Sequence, residues 1–362
     1  MARLIINLVA WNGAKYIPYL FDSLRRQTFQ DWSLRVLDNG STDNTVAAIK
    51  KELNNFSVQY KLIENKGNLG FAKGHNFLFK EFAGDEFEYM LILNQDMYLM
   101  PDCLQKLVEF MNYNPKAAAI APRLMKWNFS NIAEGFEKSF SSKIDSLGLK
   151  VFRNRRVAER NAGDEFDKRA IMKSINIQDR AMARDDNMAF EVFGVSGALS
   201  LFRKSAVDMV AFSTIAFFDS SYQSYKEDVD LAYRLVSAGF KSYVILDAVA
   251  YHDRSAAGAS ENGNSAAMKN KKNQSFLIKY NSYRNHLLTL YKNEYWQNFL
   301  LDFFSILWYE KRKFIYFLIF DRAVLASWRV FWRDRKELAE RRSQIVAKRK
   351  LNWRQTRQQI FK

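Results

Sequence analysis

Over the first 125 residues, short apolar runs alternate with segments of helical periodicity. Strand-like runs cover Leu4 to Trp11, Ser33 to Leu37, Val58 to Ile63 and Tyr89 to Leu93. Between and after them, apolar positions recur at helical spacing over Lys15 to Arg26, Thr45 to Leu53, Phe71 to Phe82 and Leu104 to Met111. This β-α-β-α order predicts an α/β fold with an open, mostly parallel sheet flanked by helices. Ligands of such sheets bind at the carboxyl ends of the strands, so the residues following each strand are the ones to inspect.

The pattern weakens from about Met125 to Phe190, a polar, mixed-charge stretch expected to be an insertion or lid. It returns with a strand-like run over Glu191 to Phe202, a helix near Asp228 to Ala238, a strand over Ser242 to Leu246 and a Gly- and Ser-rich loop over Ser255 to Ser265. From Phe276 the chain is helical, aromatic and increasingly basic. The expected organisation is a catalytic unit over residues 1–275 and a helical extension over 276–362.

Composition narrows the function classes. A chain of 362 residues, 48% hydrophobic and 26% charged, can bury a substantial core, and a single cysteine, Cys103, excludes a disulfide framework or a cysteine-rich zinc module. The N-terminus does not have the form of a signal peptide, and no stretch reaches the ~18 uninterrupted apolar residues of a membrane span. The net charge of +16 calls for an anionic partner: nucleic acid, anionic lipid or a phosphorylated small molecule. Residues 331–362 carry eleven Lys and Arg against three Asp and Glu, which is half of that surplus. Upstream, Trp296, Phe299, Leu300, Phe303, Phe304, Leu307 and Trp308 recur at helical spacing. Aromatic and basic helices of this kind lie at anionic membrane surfaces, or else pack on their own domain or across a homodimer.

The strand ends carry the candidate chemistry. They read Trp11-Asn12-Gly13, Asp38-Asn39-Gly40-Ser41, Asn65 through Gly70 and Asn94-Gln95-Asp96. A strand-end Asp38 suits hydrogen bonds from a ligand ring, while Asn and Ser suit hydroxyls; taken singly, the same residues are ordinary turns and caps. No dinucleotide or P-loop fingerprint occurs, although the helix opening at Gly70 could offer backbone N–H groups to a diphosphate. Asp96 follows a strand of buried character, where a carboxylate needs a partner or a hard cation. Glu227, Asp228 and Asp230 open a helix, as dipole-complementary residues or as a positioned base. His252 follows the strand that ends at Leu246 at a short distance.

These segments resemble glycosyltransferase family 2, and within it the bacterial rhamnosyltransferase-like enzymes of cell-wall polysaccharide biosynthesis. The resemblance rests on Val9 to Gly13, Leu37 to Asp43, Asn65 to Asn76, Leu93 to Asp96, Val195 to Ala198, Glu227 to Leu231 and Ala238-Gly239-Phe240 leading to His252. It implies a GT-A fold and an inverting transfer of a sugar, rhamnose by analogy, from a nucleotide-diphosphate donor to a glycan or lipid-linked acceptor, with Mg2+ or Mn2+. It further implies that Asp38 contacts the base, that Asn12, Asn39, Ser41 and Asn68 line the nucleoside and sugar, and that Trp11, Gly70, Asn76, Asn94 and Gly197 complete the donor site. Asp96 and His252 would hold the metal, and Asp228 would act as general base beside Glu227. A cytoplasmic enzyme peripheral at the inner face of the cell membrane is expected, with nucleic acid disfavoured as a partner. The chain departs from the pattern at Gln95, where these relatives usually carry Pro, at Asp253, where a second histidine is common, and in the length of the 125–190 insertion.

Overall fold

The computed structural model describes residues 3–54, 56–81, 86–182, 188–254 and 274–362. The loop expected over Ser255 to Ser265 lies outside the described residues. In the first half, strands β1 (Leu4–Ala10), β2 (Trp32–Asp38), β3 (Tyr60–Glu64) and β4 (Tyr89–Asn94) alternate with helices α1 (Ile17–Arg25), α2 (Thr45–Leu53) and α3 (Phe71–Glu81). Each periodic segment became the expected element because its apolar stripe faces the sheet; α1 buries Ile17, Leu20, Phe21 and Leu24, the i, i+3, i+4, i+7 set. The β1–β2, β1–β4 and β2–β3 ladders are all parallel, so the polar strand ends converge on one edge.

The second half continues the same sheet. Strand β5 (Met97–Leu99), helix α4 (Cys103–Tyr113) and strand β6 (Ala117–Trp127) lead into β7 (Phe140–Ser146), the hairpin β8 (Leu149–Val151) and β9 (Val157–Glu159), helix α5 (Lys168–Ser174), and strands β10 (Arg180–Met182), β11 (Met188–Val192) and β12 (Leu199–Arg203). After α6 (Lys204–Val210) and α7 (Glu227–Ser237) comes β13 (Lys241–His252). The sheet order is β10-β11-β13-β6-β12-β4-β1-β2-β3, with β5 on β13 and β7 on β6. Antiparallel β12 sits between β4 and β6, so the sheet is mixed in this half.

The 125–190 stretch, expected as an insertion or lid, joins the sheet through β6, β7 and β10, while the β8–β9 hairpin stands apart as a two-stranded sheet. Aromatic contacts that carry no periodicity hold it: Trp127, Phe129, Phe136 and Phe140 pack with Tyr16, Tyr19, Tyr98 and Tyr251. Two further expectations are corrected. The run over Glu191 to Phe202 is two strands, β11 and β12, broken around Gly194 to Gly197, and the last strand runs from Lys241 to His252 and not only to Leu246.

The extension forms α8 (Phe276–Asn293), α9 (Trp296–Leu301), α10 (Phe303–Phe320), α11 (Ser327–Arg333), α12 (Arg335–Ala347) and α13 (Trp353–Ile360). No helix among the described residues is long and apolar enough to cross a membrane. Helix α8 lies against α7 through a polar seam. Lys292, with no exposed surface, pairs with Asp219 and Asp230, the latter at 2.9 Å, and Asn293 donates to Asp230 at 2.8 Å. Much of the basic charge after residue 331 is spent inside the molecule: Arg341 pairs with Asp219, Arg357 with Asp302, Lys362 with Asp179 and Glu191, and Arg349 donates to Asn293 O.

Candidate active site

At the strand ends a cavity of about 530 Å3 opens between α7, β13 and the β8–β9 hairpin. Its lining includes Asn94, Asp96, Gly197, Glu227, Asp228 and His252, six residues singled out from the sequence. Residues far apart in sequence, such as Asp145 and His252 at 107 positions, meet here because of strand pairing. β5 runs antiparallel to β13 with His252 opposite Met97, and Asp253 N donates to Asp96 O at 3.0 Å. The imidazole Nε2 of His252 lies 3.5 Å from Asp96 Oδ1, and its Nδ1 lies 2.9 Å from Asp145 Oδ2. Burial opposes a charge on this ring, but the carboxylates of Asp96 and Asp145 outweigh it and push its pKa up to about 10.

Asp228, lining the same cavity, is held by two backbone donors. Its Oδ2 accepts from Gly197 N at 3.1 Å and its Oδ1 from Val229 N at 2.7 Å. Enclosure, and then the charge of Glu159, raise its pKa above the usual carboxylate range. The adjacent Glu227 is buried, its Oε2 has no hydrogen-bond partner among the described residues, and burial followed by the neighbouring Asp228 pushes it up to about 8. Immediately before this pair, Tyr225 and Lys226 both adopt left-handed backbone, with φ of 74° and 72°. Two consecutive non-glycine residues in that region are held there by their surroundings. Asn285 of α8 supplies part of the hold, donating to Ser224 O at 3.0 Å and Tyr225 O at 2.7 Å.

The donor-side residues stand along the ends of β1, β2 and β3. Asp38 is buried at the end of β2; Oδ2 accepts from Ser41 N at 3.2 Å, while Oδ1 has no partner among the described residues. That leaves a buried acceptor available to a ligand N–H. Ser41 Oγ accepts from Asn12 N at 3.0 Å, and Asn12 Oδ1 accepts from Thr42 N at 2.8 Å, which ties the β1 and β2 loops together. Trp11 is 49% exposed beside them. Its backbone exchanges two hydrogen bonds of 2.8 Å with the Gln95 amide. A Cβ on Gly13 would collide with that amide, so the glycine and the glutamine form one device that pins the first loop.

Asn39, Gly70, Asn76 and Gly197, expected at the donor site, do other work. Asn39 is buried with its amide spent on Asn68 Oδ1, Gly70 O and Leu69 N; it positions the loop. Asn68 is exposed, and its Oδ1 also accepts from Gly70 N at 2.7 Å. Gly70 consequently offers no N–H to a diphosphate. Its φ of 80° and its close approach to the Gln223 backbone explain the glycine. Asn76 lies beneath the site, its amide bonded to both the carbonyl and the N–H of Phe218. Gly197 contributes through Asp228.

The sequence reading missed the residues delivered by the insertion. Asp145 on β7 orients His252, and Glu159 at the end of β9 accepts from Ser146, Ser196 and Arg254. Arg254 bridges Glu159 and Asp145 at 3.0 Å each. The one available signal was the position of Arg254 two residues after His252. Arg155, beside the hairpin turn, is buried against Glu294 and Asp302 and anchors the hairpin to the extension.

As a cation site the arrangement is open-sided. Among the described residues no group of three or more His, Cys, Asp or Glu could hold a metal. The pair Asp96 and His252 nevertheless fits a cation that takes its remaining ligands from diphosphate and water, because Asp145 occupies Nδ1 and leaves Nε2 directed at Asp96.

Comparison with known proteins places this architecture. Residues 6–210 match the model of "Glycosyl transferase family 2". An uncharacterized glycosyltransferase of Haemophilus influenzae is 29% identical over 119 residues, 33% of this chain and 36% of that protein. The N-acetylglucosaminyl-diphospho-decaprenol L-rhamnosyltransferase of Mycobacterium tuberculosis is 24% identical over 280 residues, 74% of this chain and 82% of that protein. A crystal structure of GalNAc-T7 with UDP, GalNAc and Mn2+ superposes with a TM-score of 0.56 at 10% identity, covering 81% of this chain and 48% of that one. That likeness is one of fold, which is of the GT-A type. With its family model covering more than half of its length, this chain belongs to glycosyl transferase family 2.

Proposed function

We propose that this protein is an inverting glycosyltransferase that moves a sugar from a nucleoside-diphosphate donor to a hydroxyl of a glycan or lipid-linked acceptor. The observation that carries the reading is that one cavity is lined both by a carboxylate held by two N–H donors, Asp228, and by the Asp96–His252 pair. Asp38, with its unpartnered Oδ1, takes an N–H of the base; Asn12, Ser41 and Asn68 lie beside the sugar and ribose, with Trp11 at the rim. Asp228 accepts the proton of the attacking hydroxyl, and its raised affinity for protons suits that task near neutral pH. Glu227 keeps a proton at its side and steadies the pair. The residues that would hold Mg2+ or Mn2+ are Asp96 and His252, and the cation, when bound, supplies positive charge to the leaving diphosphate. Rhamnose as the transferred sugar follows only from resemblance, which the mycobacterial relative's name supports.

The division into a catalytic unit (1–275) and a helical extension (276–362) belongs to the same proposal, as does attachment to the cytoplasmic face of an anionic membrane. The attachment rests on α10, which exposes Phe304 (83%), Leu307, Trp308, Ile319 and Phe320 around Lys311 and Arg312. The function is tested with Asp228→Asn, measured as sugar transfer and as nucleotide-sugar binding by thermal shift with Mn2+. Turnover should fall at least a thousandfold with binding retained; retained turnover would remove Asp228 from the mechanism.

A further inference from the structure

The β8–β9 hairpin stands apart from the main sheet, yet its last residue, Glu159, lines the catalytic cavity. Its carboxylate is turned into the protein. Oε2 accepts from Ser146 Oγ at 2.5 Å, and Oε1 accepts from Ser196 Oγ at 3.1 Å and from Arg254 Nη2 at 3.0 Å. A carboxylate that carries an ion pair and two hydroxyl donors is fixed in place. The hairpin that delivers it is fixed as well: Leu149 N donates to Gly194 O at 2.8 Å, Lys226 Nζ donates to Val157 O at 3.3 Å, and Arg155 is buried against Glu294 and Asp302.

Two lines of bonds leave Glu159. One passes through Ser196 to the next residue, Gly197, whose N–H donates to Asp228 Oδ2 at 3.1 Å. The other passes through Arg254, whose Nη2 also donates to Asp145 Oδ2 at 3.0 Å, the oxygen that lies 2.9 Å from His252 Nδ1. Asp145 alone would have to serve both Arg254 and His252, and Glu159 supplies the second negative charge that a largely buried guanidinium needs. A neutral acceptor would suffice for the two serines, so the ionised side chain answers the second line. The charged and titratable groups facing Asp228 are Glu227 beside it, Tyr225 and Lys226 before it, Arg156 and Glu159 of the hairpin, and Arg254 after β13. Asp96 and His252 line the same cavity, and α8 adds the neutral Ser282. Among these, Glu159 reinforces the effect of burial in raising the affinity of Asp228 for a proton, and Lys226 opposes it.

We propose that Glu159 is a positioning residue for the transfer: through Ser196 and Gly197 it aims the Asp228 carboxylate, and through Arg254 and Asp145 it aims the imidazole of His252, so that the base and the Asp96–His252 pair are held as one unit. The inference rests on the glycosyltransferase reading above and adds to it a residue whose oxygens are engaged by the protein and not by substrate. Its charge has a second consequence. Replacing it by a neutral group lets Asp228 give up its proton at lower pH, so the acid limb of kcat moves down.

The test uses the full chain with Mn2+ and whichever of dTDP-rhamnose, UDP-N-acetylglucosamine and GDP-mannose gives the largest thermal shift. Turnover is followed as nucleoside-diphosphate release with water as the acceptor. Glu159→Gln keeps an acceptor for Ser146 and Ser196 and removes the charge; kcat should fall about tenfold with the donor KM changed by less than about twofold. The acid limb of its kcat profile should lie lower than that of the wild type by about 0.5 pH units or more. Glu159→Asp keeps the charge and shortens the reach, and Ser196→Ala cuts one line of bonds; both should lower kcat and leave the acid limb in place. Melting temperatures check folding, and the last two variants decide the matter if Glu159→Gln does not fold. The proposal fails if kcat stays within about twofold of the wild type in the variants that fold, or if the acid limb of Glu159→Gln does not move down. A loss seen in KM with kcat retained would also overturn it, because Glu159 would then touch the substrate. Failure of the underlying reading shows elsewhere: a wild type that neither binds nor turns over any of the three nucleotide sugars ends both.

Discussion

Helices α8 and α10 have the same length, 18 residues, and are built inside out relative to one another. α8 buries Asn281, Asn285, Thr289, Lys292 and Asn293, while α10 exposes Phe304, Leu307, Trp308, Phe314, Ile319 and Phe320. Residue hydrophobicity alone would assign the burial the other way round. The difference teaches that burial in the extension follows partners. α8 meets α7 and the segment before it: Asn285 donates to Ser224 O and Tyr225 O, Lys292 pairs with Asp219 and Asp230, and Asn293 donates to Asp230. α10 meets the molecule through Ile306, Lys313 and Phe317 and presents the rest outward. One helix serves the catalytic loop, and the other serves whatever lies outside.

The sharpest way to break this contrast is at Lys292. Lys292→Met removes the cation shared by two buried carboxylates, leaving Asp219 to Arg341 and Asp230 to Arg234 and Asn293, and should cost about 3 kcal/mol of stability, seen as a lower denaturant midpoint. A loss below 1 kcal/mol would mean the seam is not what holds α8. Next comes Asn285→Ala, which frees the Ser224 and Tyr225 carbonyls and lets the left-handed segment before Glu227 relax. The expected result is a fall in kcat of roughly tenfold to a hundredfold, about 1–3 kcal/mol, with nucleotide-sugar affinity unchanged.

A pH profile sharpens the same point, because the seam holds a pair of carboxyls whose proton affinities are raised, Glu227 to about 8. Asp228, the base, must be ionised to act and its proton affinity is raised, so the rise of kcat with pH should lie above the ordinary carboxylate range. An acid limb complete below pH 5 would show that the pair is not raised in the working enzyme. The smallest effect on stability should come from the other helix. Phe304→Ser with Trp308→Ser should change the folding free energy by no more than about 0.5 kcal/mol each, yet abolish cosedimentation with vesicles of anionic phospholipid. Unchanged vesicle binding would remove α10 as the attachment face.

The two halves of the sheet differ in how openly they could be read. β1 to β4 and their helices are local: each strand is one apolar run, each helix one stripe, and the parallel order forces Asp38, Asn68 and Asp96 to one edge. The stretch from Met125 to Phe190 resisted because its strands are held by scattered aromatics, such as Trp127 and Phe140, whose partners Tyr98 and Tyr251 lie far away in sequence. The same is true of Asp145, which has no local mark and matters only because β7 pairs with β6 beside the end of β13. The charge of the last 32 residues was legible as a number but not as a location. Arg341 and Lys362 turned out to pin the extension to the fold through Asp219, Asp179 and Glu191, while Arg349 and Arg357 tie the extension's own helices together.

What the sequence by itself determined is the set of local devices: strand and helix periods, the turn and cap residues at strand ends, and an acidic start to α7. These depend on neighbours within a few residues, so the order along the chain specifies them. Tertiary structure alone decided which of those polar groups remain available. Asn39, Gly70 and Asn76 are consumed by contacts with other segments, whereas Asp96 and Asp228 line the cavity and Asp38 keeps one buried oxygen without a partner among the described residues. It also decided that Glu159 and Arg254, 95 residues apart, form an ion pair. The physical reason is that a hydrogen bond or ion pair satisfied across the fold leaves no trace in the spacing of residues, and only the packed chain shows which groups still lack a partner.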